Sequence, residues 1–147
     1  MSHPEEDDNL SKLIFKLEEY PYKEYASWIL MHIVQSKRID VQYLYLKLVD
    51  VLFATDNQTV LRNVSNCTYY LQVTEYRESE FIDLLLGFIK NYDNKVALQV
   101  YSIYTLMQFV QRYPELQQEV SEIIKLHSNG KTVSYRVAQS RFEAGKM

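Results

Sequence analysis

The sequence predicts an all-α chain, an α–α superhelix of about four antiparallel helical hairpins wound right-handed. Three observations carry that expectation. A small residue recurs at Ala26, Ser65, Ser102 and Ala138, with gaps of 39, 37 and 36 residues. Each is followed four residues later by a large side chain (Leu30, Tyr69, Leu106, Phe142) and preceded by an apolar one (Tyr25, Val64, Tyr101, Val137). Val34, Val73 and Val110 add a further position eight residues on in the first three copies. These offsets share one face of an α-helix. A period this long marks a supersecondary unit that buries its face against a copy of itself. Second, only 3 Gly and 3 Pro stand among 147 residues, too few for a fold of many tight turns. Third, no strand pattern competes, since the alternation of Val41–Leu46 is brief and sits inside a stronger helical period.

The elements follow in order. Residues 1–8 read as a disordered acidic lead, whose Glu5–Asp8 cluster suits the start of a helix. Residues 9–147 read as a single helical-repeat domain. Leu10, Leu13, Ile14 and Leu17 form the stripe of the first helix, which Pro21 interrupts because proline lacks an amide donor. A second helix covers about Tyr22–Gln35, and Ser36–Asp40 is a polar break. The third runs from about Val41 to Ala54, with Leu44, Leu48 and Leu52 every fourth residue. Thr55-Asp56-Asn57 then breaks the chain with residues that cap helix N-termini. The fourth covers about Gln58–Val73. The fifth is marked by Phe81, Ile82, Leu85, Phe88 and Ile89, and Asn91–Asn94 ends it. The sixth spans about Lys95–Arg112 and stops at Tyr113-Pro114, because a residue before proline avoids the α region. Pro114 suits the start of the seventh helix, through Leu116, Val120, Ile123 and Ile124. Ser128-Asn129-Gly130 is a strong stop, and a final helix covers about Lys131–Ala144. The repeated motif falls on the second helix of each pair.

Paired helices, a motif on the second helix and spacings of 36–39 residues resemble the HEAT and armadillo group of α-solenoids. The resemblance runs from Leu10 to Phe142. It is clearest in Asp93-Asn-Lys-Val-Ala-Leu-Gln-Val-Tyr-Ser-Ile-Tyr-Thr-Leu, a polar loop followed by a second helix. Tetratricopeptide repeats, at about 34 residues, are the nearest rival, but their Trp, Gly and Ala-Phe-Pro positions are not reproduced. The resemblance implies a non-enzymatic protein- or peptide-binding scaffold without cofactors, its second helices lining the concave surface. Some HEAT-like proteins are alkylpurine DNA glycosylases, so nucleic-acid binding or DNA repair is the alternative. That role needs a basic channel. Lys23, Arg62, Lys95, Arg136 and Arg141 are the candidate groove cations, against a net charge of −3.

Charge is unevenly distributed. Residues 1–24 hold seven acids and three lysines, and residues 125–147 hold five Lys/Arg and one Glu. Such ends steer partners or favour head-to-tail self-association, or are simply solvated helix ends. The acidic opening lacks the basic-then-apolar pattern of a secretory signal. No apolar run reaches membrane-spanning length, and a soluble cytoplasmic protein without membrane contact is expected. Three sequons at Asn57, Asn63 and Asn66 read as coincidence in a polar helix.

The residues offer little chemistry. His3, His32 and His127 stand too far apart for a helical metal pair. His32 reads as structural, and His127 is placed to meet the negative end of the seventh helix. Cys67 has no neighbouring base and reads as inert. Glu75, Glu78 and Asp83, like Glu115, Glu119 and Glu122, read as solvated faces. Gly87, Gly130 and Gly145 are isolated, so no phosphate loop exists.

The unusual feature is 13 tyrosines. In the sixth helix Leu98, Ser102, Thr105, Leu106 and Phe109 form the packed face, yet Val100, Ile103, Tyr104 and Met107 occupy the other side. A helix apolar all round is either doubly buried or lines a groove. The corresponding positions elsewhere include Tyr135 and Arg136. The groove reading assigns partner contact to Trp28, Met31, Arg62, Tyr70, Tyr104 and Met107. Solvent exposure separates the two readings.

Overall fold

The computed structural model describes residues 22–145. The expected acidic lead, the helix around Leu10–Leu17 and the break at Pro21 lie outside the described residues. The described residues form α-helices and short 3-10 turns, with no strand among them. No helix among them is long and apolar enough to cross a membrane. The chain divides into two compact units, Met1–Gln72 and Val73–Met147.

In the first unit, α1 spans Lys23–Ser36, a 3-10 turn spans Gln42–Leu44, α2 spans Tyr45–Ala54 and α3 spans Gln58–Tyr70. Helix α1 buries Ala26, Leu30 and Val34, the small residue and its partners four and eight residues on. It ends where Lys37 turns left-handed at φ 55° and returns its amide to the Val34 carbonyl. Asn57 caps α3 as its residue type suggests, its side chain accepting from the Val60 amide at 3.0 Å. Leu48, Val49, Leu52, Val60 and Val64 complete the core.

Between α1 and α3 lies a ladder of polar pairs. Asn57 Nδ2 donates to Glu24 Oε1 at 2.9 Å, Asn63 Nδ2 to Ser27 Oγ at 3.0 Å, and Gln35 Nε2 to Asn66 Oδ1 at 2.8 Å. The partners rise in number together, so the two helices run parallel. Buried polar groups need such partners. The ladder gives the three asparagines of the sequons a structural use, and it leaves Asn63 and Asn66 buried.

Helix α3 ends three residues before the expected Val73. The amide group of Gln42 intervenes: its Nε2 donates to the Gln72 carbonyl at 2.7 Å and its Oε1 accepts from the Gln72 amide at 2.9 Å. Gln72 is thereby bonded in an extended link rather than in a further helical turn.

In the second unit, α4 spans Glu78–Lys90, α5 Val96–Arg112, a 3-10 turn Pro114–Leu116, α6 Gln117–Leu126 and α7 Val133–Ala144. Helix α4 pairs with α5, α6 pairs with α7, and α5 also packs on α7. Pro114 starts the 3-10 turn, and Gly130 takes φ 74° at the stop before α7. Phe81, Leu85, Ile89, Leu98, Leu106, Phe109, Val120, Ile124, Tyr135 and Phe142 form the core.

All four motif centres are buried, Ala26 at 2% exposure and Ser65, Ser102 and Ala138 at 0%. The residue before each centre departs from expectation. Val64 is buried and Tyr101 half-buried, but Tyr25 and Val137 are exposed. That position lies about 100° around the helix from the centre, at the edge of the buried arc.

Candidate partner-binding surface

Helix α1 carries an aromatic stripe opposite its buried face. Tyr22, Tyr25 and Trp28 are 60%, 64% and 48% exposed, and His32 is exposed with them. Spacings of three and four residues place these side chains on one arc. The Tyr25 and Trp28 rings stack with centroids 6.1 Å apart, and His32 meets the Trp28 ring edge-on at 4.3 Å. His32 is therefore a surface member of this stripe, not a structural histidine of the core. Reading Tyr25 as a packed motif residue concealed it; the signal available was aromatic spacing along the face away from Ala26, Leu30 and Val34.

A second feature lies where α1 ends and α3 ends. Tyr70 is exposed, its ring 4.8 Å from that of Tyr69 and 5.9 Å beneath the Lys37 ammonium. It borders a cleft of about 280 Å³ with Lys37, Ile39, Asp40, Val41 and Leu71. The left-handed turn at Lys37 and the Gln42–Gln72 pairing shape this cleft. Met31 on α1 and Arg62 on α3 are half-buried.

Two members of the expected face are not accessible. Tyr104 is 8% exposed and Met107 4%. Val100 and Ile103 are buried too, so the burial reading of α5 holds. Helices α4, α6 and α7 all pack on α5. The Arg141 guanidinium lies 5.8 Å over the Tyr104 ring and donates to its hydroxyl at 3.3 Å. Met107 borders a cavity of about 60 Å³ beside Phe142. Tyr135 is fully buried, donating to the Ile124 carbonyl at 2.7 Å, and burial pushes its phenol up to about 12.

The reactive groups are quiet. Burial pushes the Cys67 thiol up to about 12, so almost no thiolate forms at neutral pH. Among the described residues no group of three or more His, Cys, Asp and Glu could hold a metal ion. Glu78 is not a solvated carboxylate: it accepts from the Tyr113 hydroxyl at 2.5 Å and pairs with Arg112 at 3.4 Å. That hydrogen bond holds the Tyr113 phenol above its ordinary range.

His127 sits at the C-terminal end of α6 as expected, but it is not held as a cation. Burial first, then the Lys131 and Lys90 ammonium groups, lower its pKa below the ordinary 6.5. The unfolded chain therefore takes the proton first as pH falls. This contribution to stability is complete above pH 6.5 and is lost as pH falls through the lowered folded value. His127→Gln is expected to flatten that part of the stability–pH profile in urea titrations; an unchanged slope would show that the imidazole does not titrate there.

Residues 1–142 match the family model of the HEAT repeat domain. No curated protein and no solved structure matches the chain.

Proposed function

Since the chain belongs to the HEAT repeat domain family, we propose that it is a non-enzymatic scaffold that binds a protein or peptide through the first unit. The observation that carries this reading is the exposed aromatic stripe of α1, Tyr25, Trp28 and His32, together with Tyr70 beside its cleft. Tyr and Trp supply rigid contact area with a polar edge and are enriched at binding hot spots. Met31 and Arg62 supply an adaptable apolar chain and a fork that pairs with carboxylates. Tyr104 and Met107, buried in α5, have no part in this face.

We place this activity in the cytoplasm. A single buried free thiol and two sequon asparagines committed to the α1–α3 ladder support that placement.

A pull-down from the native host tests the reading. Trp28→Ser combined with Tyr70→Ser is expected to lower capture at least tenfold, because a hot-spot side chain contributes about 2 kcal/mol or more. Both residues are exposed, so helicity by circular dichroism should be unchanged. Undiminished capture by the folded double variant would remove this face from consideration.

A further inference from the structure

We propose that the outer face of α7 docks the acidic N-terminal segment of a second copy of this chain, so that copies associate head to tail. The proposal goes beyond the scaffold reading and does not rest on the α1 face.

Helix α7 buries Tyr135, Ala138 and Phe142 on one side, and through that side it packs on α5 and α6. Val133, Val137, Ser140 and Ala144, spaced four, three and four residues apart, lie on the opposite side and are exposed. Val133 is 74% exposed and Val137 40%. The repeat register shows what such a pair meets elsewhere in the chain. The two valines stand five and one residues before Ala138, as Val60 and Val64 stand before Ser65. Val60 and Val64 are both fully buried, on a helix that packs against α1 and α2. Helix α7 therefore presents, uncovered, an apolar pair that its counterpart α3 buries among helices of this same chain. A helical segment of a second copy has the matching chemistry.

Charge selects which segment. Arg136 stands three residues after Val133 and next to Val137, and it is exposed; Lys125 is exposed in the last turn of α6. Among the described residues neither has an acidic partner. Arg141 is engaged by Tyr104 and Lys131 by Gln99, so the open positive charge of this end belongs to Arg136 and Lys125. Glu143 is the single acid of residues 125–147, and it accepts from Gln139 Nε2 at 3.3 Å. The complement lies at the other end of the sequence. Glu5–Asp8 is the chain's one run of four consecutive acids, and Leu10, Leu13, Ile14 and Leu17 follow it at helical spacing. Carboxylates followed by an apolar stripe match a face of valines beside an arginine: the charges steer the encounter and set its direction, and the apolar side chains hold it. The two halves of the contact are different surfaces of one chain. The contact is therefore heterologous, and a copy docked through its N-terminal segment still offers its own α7 face.

Light scattering and sedimentation of the full, nuclease-treated chain in low salt test the proposal with two variants. One carries Glu5→Lys, Glu6→Lys, Asp7→Lys and Asp8→Lys; the other carries Arg136→Glu and Val137→Asp. The unaltered chain is expected to form dimers or larger species that dissociate as salt rises. Each variant alone should associate roughly tenfold more weakly or worse, because each sets like charges against one another. Mixed in equal amounts, the two should regain a dimer, since one keeps an intact acidic segment and the other an intact α7 face. Circular dichroism checks that both fold; should Val137→Asp fail that check, Arg136→Glu alone takes its place. A monomeric unaltered chain would overturn the proposal, whether its α7 face is bare, covered by its own N-terminal segment or reserved for another protein. So would association that nuclease abolishes, association that either folded variant retains in full, or a mixture that stays monomeric. The Trp28→Ser, Tyr70→Ser double variant should still self-associate, so failure of this contact and failure of the α1 face are read separately.

Discussion

Phe109→Ala is expected to lower the unfolding free energy by about 3–5 kcal/mol, the usual cost of deleting a buried phenyl ring. Phe109 is fully buried on α5, and its ring meets that of Phe81 on α4 edge-to-face, with centroids 5.8 Å apart at 85°. The loss combines the transfer term of the ring with the cavity left between two helices that cannot collapse independently. Such a pair adds about 0.5–1.5 kcal/mol beyond buried area. A double-mutant cycle with Phe81→Ala should therefore give coupling of that size. Val133→Ala serves as the contrast. Its side chain is 74% exposed, so its cost should stay within about 0.5 kcal/mol. The measurement is urea unfolding followed by circular dichroism, read as a midpoint shift at unchanged slope. A Phe109→Ala cost below about 1 kcal/mol would mean that the α4–α5 contact does not form this core.

The helical order was legible because its signals are local. Asn57 as a cap, Tyr113-Pro114 as a break and Gly130 as a left-handed stop all act within a few residues of themselves. The end of α3 was not legible, because its terminator, Gln42, stands thirty residues upstream and acts only once the unit is folded. The candidate site divides in the same way. Trp28 and Tyr70 are exposed, but Tyr104 and Met107 occupy positions just as apolar and are buried. What separates them is tertiary: Arg141 covers Tyr104, and Phe142 stands beside Met107, both from α7. A helix apolar on every side states that it is surrounded, not by what. His127 shows the same limit in its charge. The helix end beside it favours a cation, yet burial within the folded unit first, and then the ammonium groups of Lys131 and of Lys90 from α4, reverse that preference.

Ser102→Leu is the second large effect, and it tests the repeat register itself. Ser102 is fully buried, and its hydroxyl returns to the Leu98 carbonyl at 2.8 Å. A small side chain here lets the α5 backbone approach its neighbours closely, with Leu98 and Leu106 filling the space on either side. Leucine adds carbon atoms where packing leaves no room, so they force off-rotamer side chains or part the helices. The expected cost is about 1–3 kcal/mol, more if α5 cannot shift. Ala138→Leu on α7, also fully buried, should behave alike. Ser102→Ala separates volume from polarity. It removes only a hydroxyl bonded within its own helix, so its cost should stay below about 1 kcal/mol. If Ser102→Leu proves as mild as Ser102→Ala, the small residue is incidental and the four-fold pattern has no packing role. If both leucine variants are costly while Tyr101→Leu, one residue away and half-buried, is mild, the constraint belongs to the repeated centre rather than to α5 as a whole.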